Sequence, residues 1–188
     1  MICAFDIEVT KDPLKFPDVT KDLIMMISYV LNGEGYLIVN RQTVSKDIQD
    51  FDFAPQGKFF THFHIFNEPD EESTIRRFVS ECHAAAVSIF VTYNGDSFDW
   101  PYVSARAELY GISIEHEFGL RQNPSQEFVG VDCVHLDCYR WVKRDSYLPQ
   151  GSQNLKAVTR SKLGINPYEL DPESITPDGI ERPDELAH

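Results

Sequence analysis

Asp6 and Glu8 stand two residues apart in Phe5-Asp6-Ile7-Glu8, and Asp99 closes the segment Tyr93-Asn94-Gly95-Asp96-Ser97-Phe98-Asp99. Carboxylates are the ligands that magnesium and similar hard cations take. Brought to one place, these three would suit two divalent cations about 4 Å apart, an arrangement that hydrolyses phosphodiesters with an activated water and no covalent enzyme nucleophile. Asp-x-Glu alone is a weak motif, and this acidic chain contains it at Asp6/Glu8, Asp70/Glu72 and Asp171/Glu173. The second and third lie in polar stretches, where a helix N-terminus or an acidic loop accounts for them. Asp6 and Glu8 instead interrupt an apolar, β-prone segment at period two, so both leave one face of a strand. Burying that face costs several kcal/mol unless cations compensate. The alternative is an edge strand with a solvated polar face. Asp99, with Pro101 just after it, also reads as a helix N-cap.

The elements that must position these residues follow from pattern. Ile2 to Val9 reads as a strand, Leu23 to Leu31 as a second, Asn-Gly-Glu-Gly at 32–35 as a turn and Tyr36 to Asn40 as the returning third, giving an antiparallel meander. Residues 41–60 read as a long irregular connection before a short strand at Phe63 to Phe66. Asn67 to Asp70 marks a helix entry, and Ile75, Phe78, Val79 and Cys82 follow at helical spacing. Val87 to Tyr93 has the continuous apolar character of a central strand, and its C-terminal end is where open α/β sheets bind ligands. Helices are expected over Asp99–Tyr110, Cys138–Lys143 and Ser152–Leu163, with a strand at Val131–Leu136 and Ser152 as a helix cap. The Pro-, Asp- and Glu-rich tail from Asn166 reads as a loop. Meander, helix, strand, helix, strand, helix describes an α/β fold of ribonuclease H type, a mixed sheet with flanking helices.

The 188 residues fit one domain with a real core. The longest apolar run, Leu23 to Leu31, falls short of the roughly 20 residues a membrane span needs, and no secretory signal is visible. The chain opens directly on a strand, as a segment of a longer protein would. Cys3, Cys82, Cys133 and Cys138 show no zinc-type spacing and read as reduced thiols, pointing to a reducing compartment such as cytosol or nucleus. A net charge of −13 is the wrong sign for gripping duplex DNA, though not for holding a few nucleotides through cations. Basic residues gather at Arg140, Lys143, Arg144, Lys156, Arg160 and Lys162, either a surface for a phosphate backbone or a solvated helix pair. His62 and His64 share a strand face, with no third histidine or cysteine close in sequence, and read as surface residues.

Phe5-Asp6-Ile7-Glu8 resembles the first exonuclease motif of family B DNA polymerases, and Asn94-x-x-x-Phe98-Asp99 resembles the second, in the same order. Longer strings, Pro13 to Asp18, Ile24 to Tyr29, Phe66 to Glu71 and Trp141 to Pro149, are similar to one branch of that family and extend the likeness over essentially the whole chain. The resemblance implies a 3′→5′ proofreading exonuclease domain, residues 1–188, in a nuclear replicative polymerase, releasing nucleotides from a single-stranded primer 3′ end. It implies two divalent ions (Mg2+ or Mn2+) as cofactors, with Asp6 bridging both, Glu8 on the nucleophile side and Asp99 on the other. Asn94 would sit near the terminal phosphate, and Phe98 would stack on the 3′ nucleotide or serve in the core. The implied partners are the polymerase domain of the same polypeptide and replication accessory subunits. The family's third motif, a tyrosine four residues before an aspartate, is absent; Tyr168 and Asp171 miss the spacing by one. It would follow directly after a segment like Asp184 to His188, so these residues alone are expected to form a weak or inactive nuclease. The alternatives are a free-standing exonuclease of the same type and a non-catalytic module that docks DNA or polymerase parts.

Overall fold

A computed structural model describes residues 1–144, 153–168 and 170–187. Nine strands, β1 Ile2–Val9, β2 Ile24–Leu31, β3 Glu34–Asn40, β4 Phe51–Phe53, β5 Thr61–Glu68, β6 Ile89–Thr92, β7 Leu120–Gln122, β8 Phe128–Gly130 and β9 Val134–Asp137, lie among the described residues. The helices are α1 Glu71–Ala84, α2 Asp99–Leu109, α3 Ile114–Phe118, α4 Cys138–Arg144, α5 Leu155–Leu163, α6 Ile175–Glu181 and α7 Pro183–Ala187.

Seven strands form one mixed sheet in the order β4-β5-β3-β2-β1-β6-β9, and β7 and β8 pair separately as a hairpin. The expected meander is present: β1 runs antiparallel to β2, and β2 to β3, while β6 and β9 add in parallel. β1 is therefore a central strand, flanked by β2 and β6. Its odd-numbered residues, Cys3, Phe5, Ile7 and Val9, are buried. Phe5 meets Trp100 of α2 at 4.8 Å and Phe78 of α1 at 5.2 Å between ring centroids, which fixes both helices against this face.

Glu71, fully buried at the start of α1, ties three elements together. It accepts from Ile24 N–H (2.7 Å), from Tyr110 Oη–H (2.7 Å) and from the buried guanidinium of Arg106 in α2, whose Nε lies 3.0 Å from Oε1. Asp70 caps α1 by accepting from Ser73 N–H at 2.8 Å, so the Asp70/Glu72 motif is a helix start.

On the opposite face, Met25, Leu37, Val39, Val44, Ile48 and Leu186 make a second core. The tail thus departs from the expected loop: α6 and α7 pack there, and a Cβ on Gly179 would fall 2.5 Å from Met25 Cε and 2.8 Å from Thr43 O. β4 lies inside the expected irregular connection, and α3 with the β7–β8 hairpin fills a stretch to which sequence pattern assigned no element. Ser152 lies outside the described residues; α5 is capped by Asn154, whose side chain accepts from Ala157 N–H at 2.8 Å.

Candidate active site

The even-numbered face of β1 carries the carboxylates. Asp6 is exposed and Glu8 half-buried, so this face of a central strand is open at Asp6, partly desolvated at Glu8, and not part of a sheet edge. The opening continues in register across Ile2 and Ala4 to Ile89 and Val91 of β6 and Val134 and Leu136 of β9. Ile2, Val134 and Leu136 stand 54%, 58% and 49% exposed, an apolar surface beside the carboxylates.

Asp99 reaches the same place from the other direction. It does not cap α2: the cap position belongs to Phe98, which makes no side-chain cap bond, and Asp99 is the first helical residue. Its carboxyl turns to β1, where Oδ1 accepts from Ile7 N–H at 3.3 Å, beside Asp6. Only 2% of Asp99 is exposed. Burial, followed by the Asp6 charge, pushes its pKa well above the carboxylate range. Glu8 is pushed up to about 7, by burial first and Asp6 second. The charge raising both is another carboxylate, so protons or cations must compensate.

Asp6, Glu8 and Asp99 do not draw their oxygens all within 4.8 Å of one another, unlike a second cluster at Asp50, His62 and His64. A two-cation centre spreads its ligands over two ions about 4 Å apart, so an all-oxygen set of Asp6, Glu8 and Asp99 fits hard divalent ions.

The loop between β6 and α2 is held by two aspartates that sequence reasoning did not single out for this purpose. Asp137, at the end of β9, accepts from Asn94 N–H (2.8 Å), Asp96 N–H (3.2 Å) and Tyr139 N–H (2.9 Å). Asp96 accepts from Phe128 N–H (2.6 Å) and pairs with Arg140 (2.5 Å), fastening the hairpin beneath. Asn94 adopts φ 67°, and Gly95 packs so close that a Cβ would lie 2.2 Å from Thr92 Oγ1. Asp137's position at the junction of a strand and a helix was its one sequence signal.

Phe98 is half-buried against the core, its ring 5.6 Å from Tyr102, and it also lines an apolar pocket of about 500 Å³ with Glu8, Leu14, Phe16, Pro17 and Ile175. Both roles expected of Phe98 are thus sterically open. Leu14 and Phe16 are 90% and 96% exposed at its rim. Glu173 anchors that rim by accepting from Leu14 N–H (2.8 Å) and pairing with Lys11, so the Asp171/Glu173 motif is a latch. Of the basic group, Arg140 is engaged by Asp96 and Glu127, and Lys143 lies 4.3 Å over the Tyr139 ring.

The seven-stranded mixed sheet with flanking helices is of ribonuclease H-like type. The chain belongs to the exonuclease domain family of family B DNA polymerases, whose family model matches residues 1–158. It is 55% identical over 186 residues to the catalytic subunit of DNA polymerase epsilon from Schizosaccharomyces pombe, covering 99% of this chain and 8% of that protein. It is 50% identical to the corresponding protein of Saccharomyces cerevisiae, over 100% of this chain and again 8% of the relative, so it spans a small part of the proteins it matches. Among solved structures, a family B DNA polymerase from Pyrobaculum calidifontis shares the fold at a TM-score of 0.62 and 21% identity, over 85% of this chain and 18% of that one.

Proposed function

We propose that the chain is the 3′→5′ proofreading exonuclease region of a replicative DNA polymerase, cutting the terminal phosphodiester of a primer 3′ end to release a nucleoside monophosphate. The observation that carries this is the Asp99 carboxyl held on the N–H of Ile7, the residue between Asp6 and Glu8, which share the open face of β1. Mg2+ or Mn2+ ions held by these three groups would supply an activated water and neutralise charge on the scissile phosphate. The Ile7 N–H fixes the Asp99 carboxyl, while Asp6 and Glu8 remain open to an incoming strand. Asn94, its backbone tied to Asp137, is the residue we assign to the terminal phosphate. Phe98 and Phe16 flank the apolar pocket where an unpaired base would stack, a contact tolerant of sequence. The net charge of −13 suits a short single-stranded end better than a duplex.

The open apolar face beside the carboxylates is where we place the rest of a longer polypeptide, including the tyrosine and aspartate of the third motif, its polymerase domain and accessory subunits; the workplace would be the nucleus. Lacking that aspartate, residues 1–188 would hold the nucleophile-side ion poorly and cut slowly. The test is digestion of a 5′-labelled single strand with magnesium, comparing this chain with one extended through the third motif. The extended form should shorten the strand one nucleotide at a time from its 3′ end, lose this on Asp6→Ala, and outpace the shorter chain by orders of magnitude. Undiminished digestion by Asp6→Ala would sink the assignment, and equal rates would sink the need for a fourth carboxylate.

A further inference from the structure

A second cluster of possible metal ligands lies three strands from the carboxylates and on the opposite face of the sheet. His62 and His64 leave the same face of β5, and β4 runs antiparallel beside it with Asp52 directly opposite His62. Phe51 and Phe63 take the other face and stack there at 5.1 Å, so the pleat sorts imidazoles and carboxylates to one side and aromatic rings to the other. Asp50, just before β4, completes the group: its Oδ1 accepts from Ile65 N–H at 2.9 Å, which aims Oδ2 between the two histidines. That oxygen lies 3.9 Å from His62 Nε2 and 3.8 Å from His64 Nδ1. Among the described residues this is the trio whose ligand atoms all fall within 4.8 Å of one another.

A tetrahedral zinc ion with bonds of about 2.0–2.1 Å separates its ligands by about 3.3 Å, so Asp50 Oδ2, at 3.9 and 3.8 Å from the two histidine nitrogens, must close by about half an ångström on each, and the cluster as a whole, within 4.8 Å, must tighten. One of the two remaining ring nitrogens is hydrogen-bonded and the other faces a carboxylate. His62 Nδ1 is 2.7 Å from Asp52 Oδ1, and His64 Nε2 faces Glu34 Oε2 at 3.9 Å. The carboxylate behind His62 is the arrangement that fixes tautomer and ring orientation in zinc sites, while Glu34 stands near His64 without a hydrogen bond. We propose that Asp50, His62 and His64 bind one borderline divalent transition ion, zinc foremost, with water as fourth ligand, pinning β4 to the sheet edge. Two imidazoles and one carboxylate select zinc over magnesium, which prefers oxygen throughout, so this site is chemically distinct from the carboxylate centre.

The experiment is calorimetric titration of the untagged protein with zinc chloride in excess magnesium, with cobalt as spectroscopic probe. The Asp6→Ala variant should keep one zinc site and show the intense visible bands of four-coordinate cobalt. His62→Gln with His64→Gln should remove both signals, and Asp52→Asn should weaken zinc by about tenfold or more. Asp50→Asn, on the exposed rim, provides a second variant that should lose affinity without disturbing β5. Failure of the Asp6→Ala protein to bind zinc, or equal binding by the double histidine variant, overturns the proposal. Neither result bears on the exonuclease assignment.

Discussion

Replacing Glu8 by Gln should stabilise the metal-free protein at neutral and higher pH. Glu8 has its pKa moved from an ordinary 4.5 to about 7 by burial and by Asp6. A carboxyl whose folded pKa lies above its unfolded one holds its proton more tightly when folded. Stability is therefore greatest below about 4.5 and falls as the pH rises through about 7. A pKa difference of about 2.5 corresponds to about 3.4 kcal/mol lost once the group is ionised. Glu8 is half-buried on an open face, and solvent screening reduces this to about 1.5–3 kcal/mol. Urea unfolding in a chelator, at about pH 5 and about pH 8, measures it as a shift in midpoint. Wild type should lose stability between the two conditions, Glu8→Gln should lose less, and magnesium should restore wild type at the higher pH but not the variant. A variant no more stable than wild type at about pH 8 would refute the electrostatic crowding that motivates the cation site.

Arg106→Ala should destabilise the fold by about 3–5 kcal/mol, because Glu71 would remain fully buried without its guanidinium; a urea-derived loss under 1 kcal/mol would mean that Glu71 protonates or rehydrates at little cost. Phe98→Ala should weaken binding of a short single-stranded oligonucleotide by about 1–3 kcal/mol, read by fluorescence anisotropy with calcium in place of magnesium. An affinity unchanged while thermal stability drops would assign that ring to the core alone.

The central strands and α1 were legible because each buries a long apolar pattern: Ile24 to Leu31 and the Ile75, Phe78, Val79, Cys82 stripe leave few other solutions. The tail was not legible, since Pro, Asp and Gly argue against helix locally. α6 and α7 are held by contacts from afar, Gly179 against Met25 and Leu186 in the second core. β4, three residues long, exists through its pairing with β5. The local capping preference of Asp99 lost to a hydrogen bond from Ile7, 92 residues away. Asp6 and Glu8 were visible as an anomaly in a strand, but that the face they share is open, and continues as exposed apolar surface over β6 and β9, required the sheet order. The Asp50–His62–His64 trio likewise needed the β4–β5 register, because no histidine or cysteine lies near enough in sequence to suggest a third ligand.

The central claim is that Asp6, Glu8 and Asp99 form one cation-binding centre. Manganese titration followed by electron paramagnetic resonance, on the His62→Gln/His64→Gln background so that the other cluster cannot contribute, tests it most directly. Bound manganese should appear in that protein, weaken by about tenfold or more on Asp99→Asn, and vanish on Asp6→Ala. Equal binding by the Asp6→Ala protein would contradict the account.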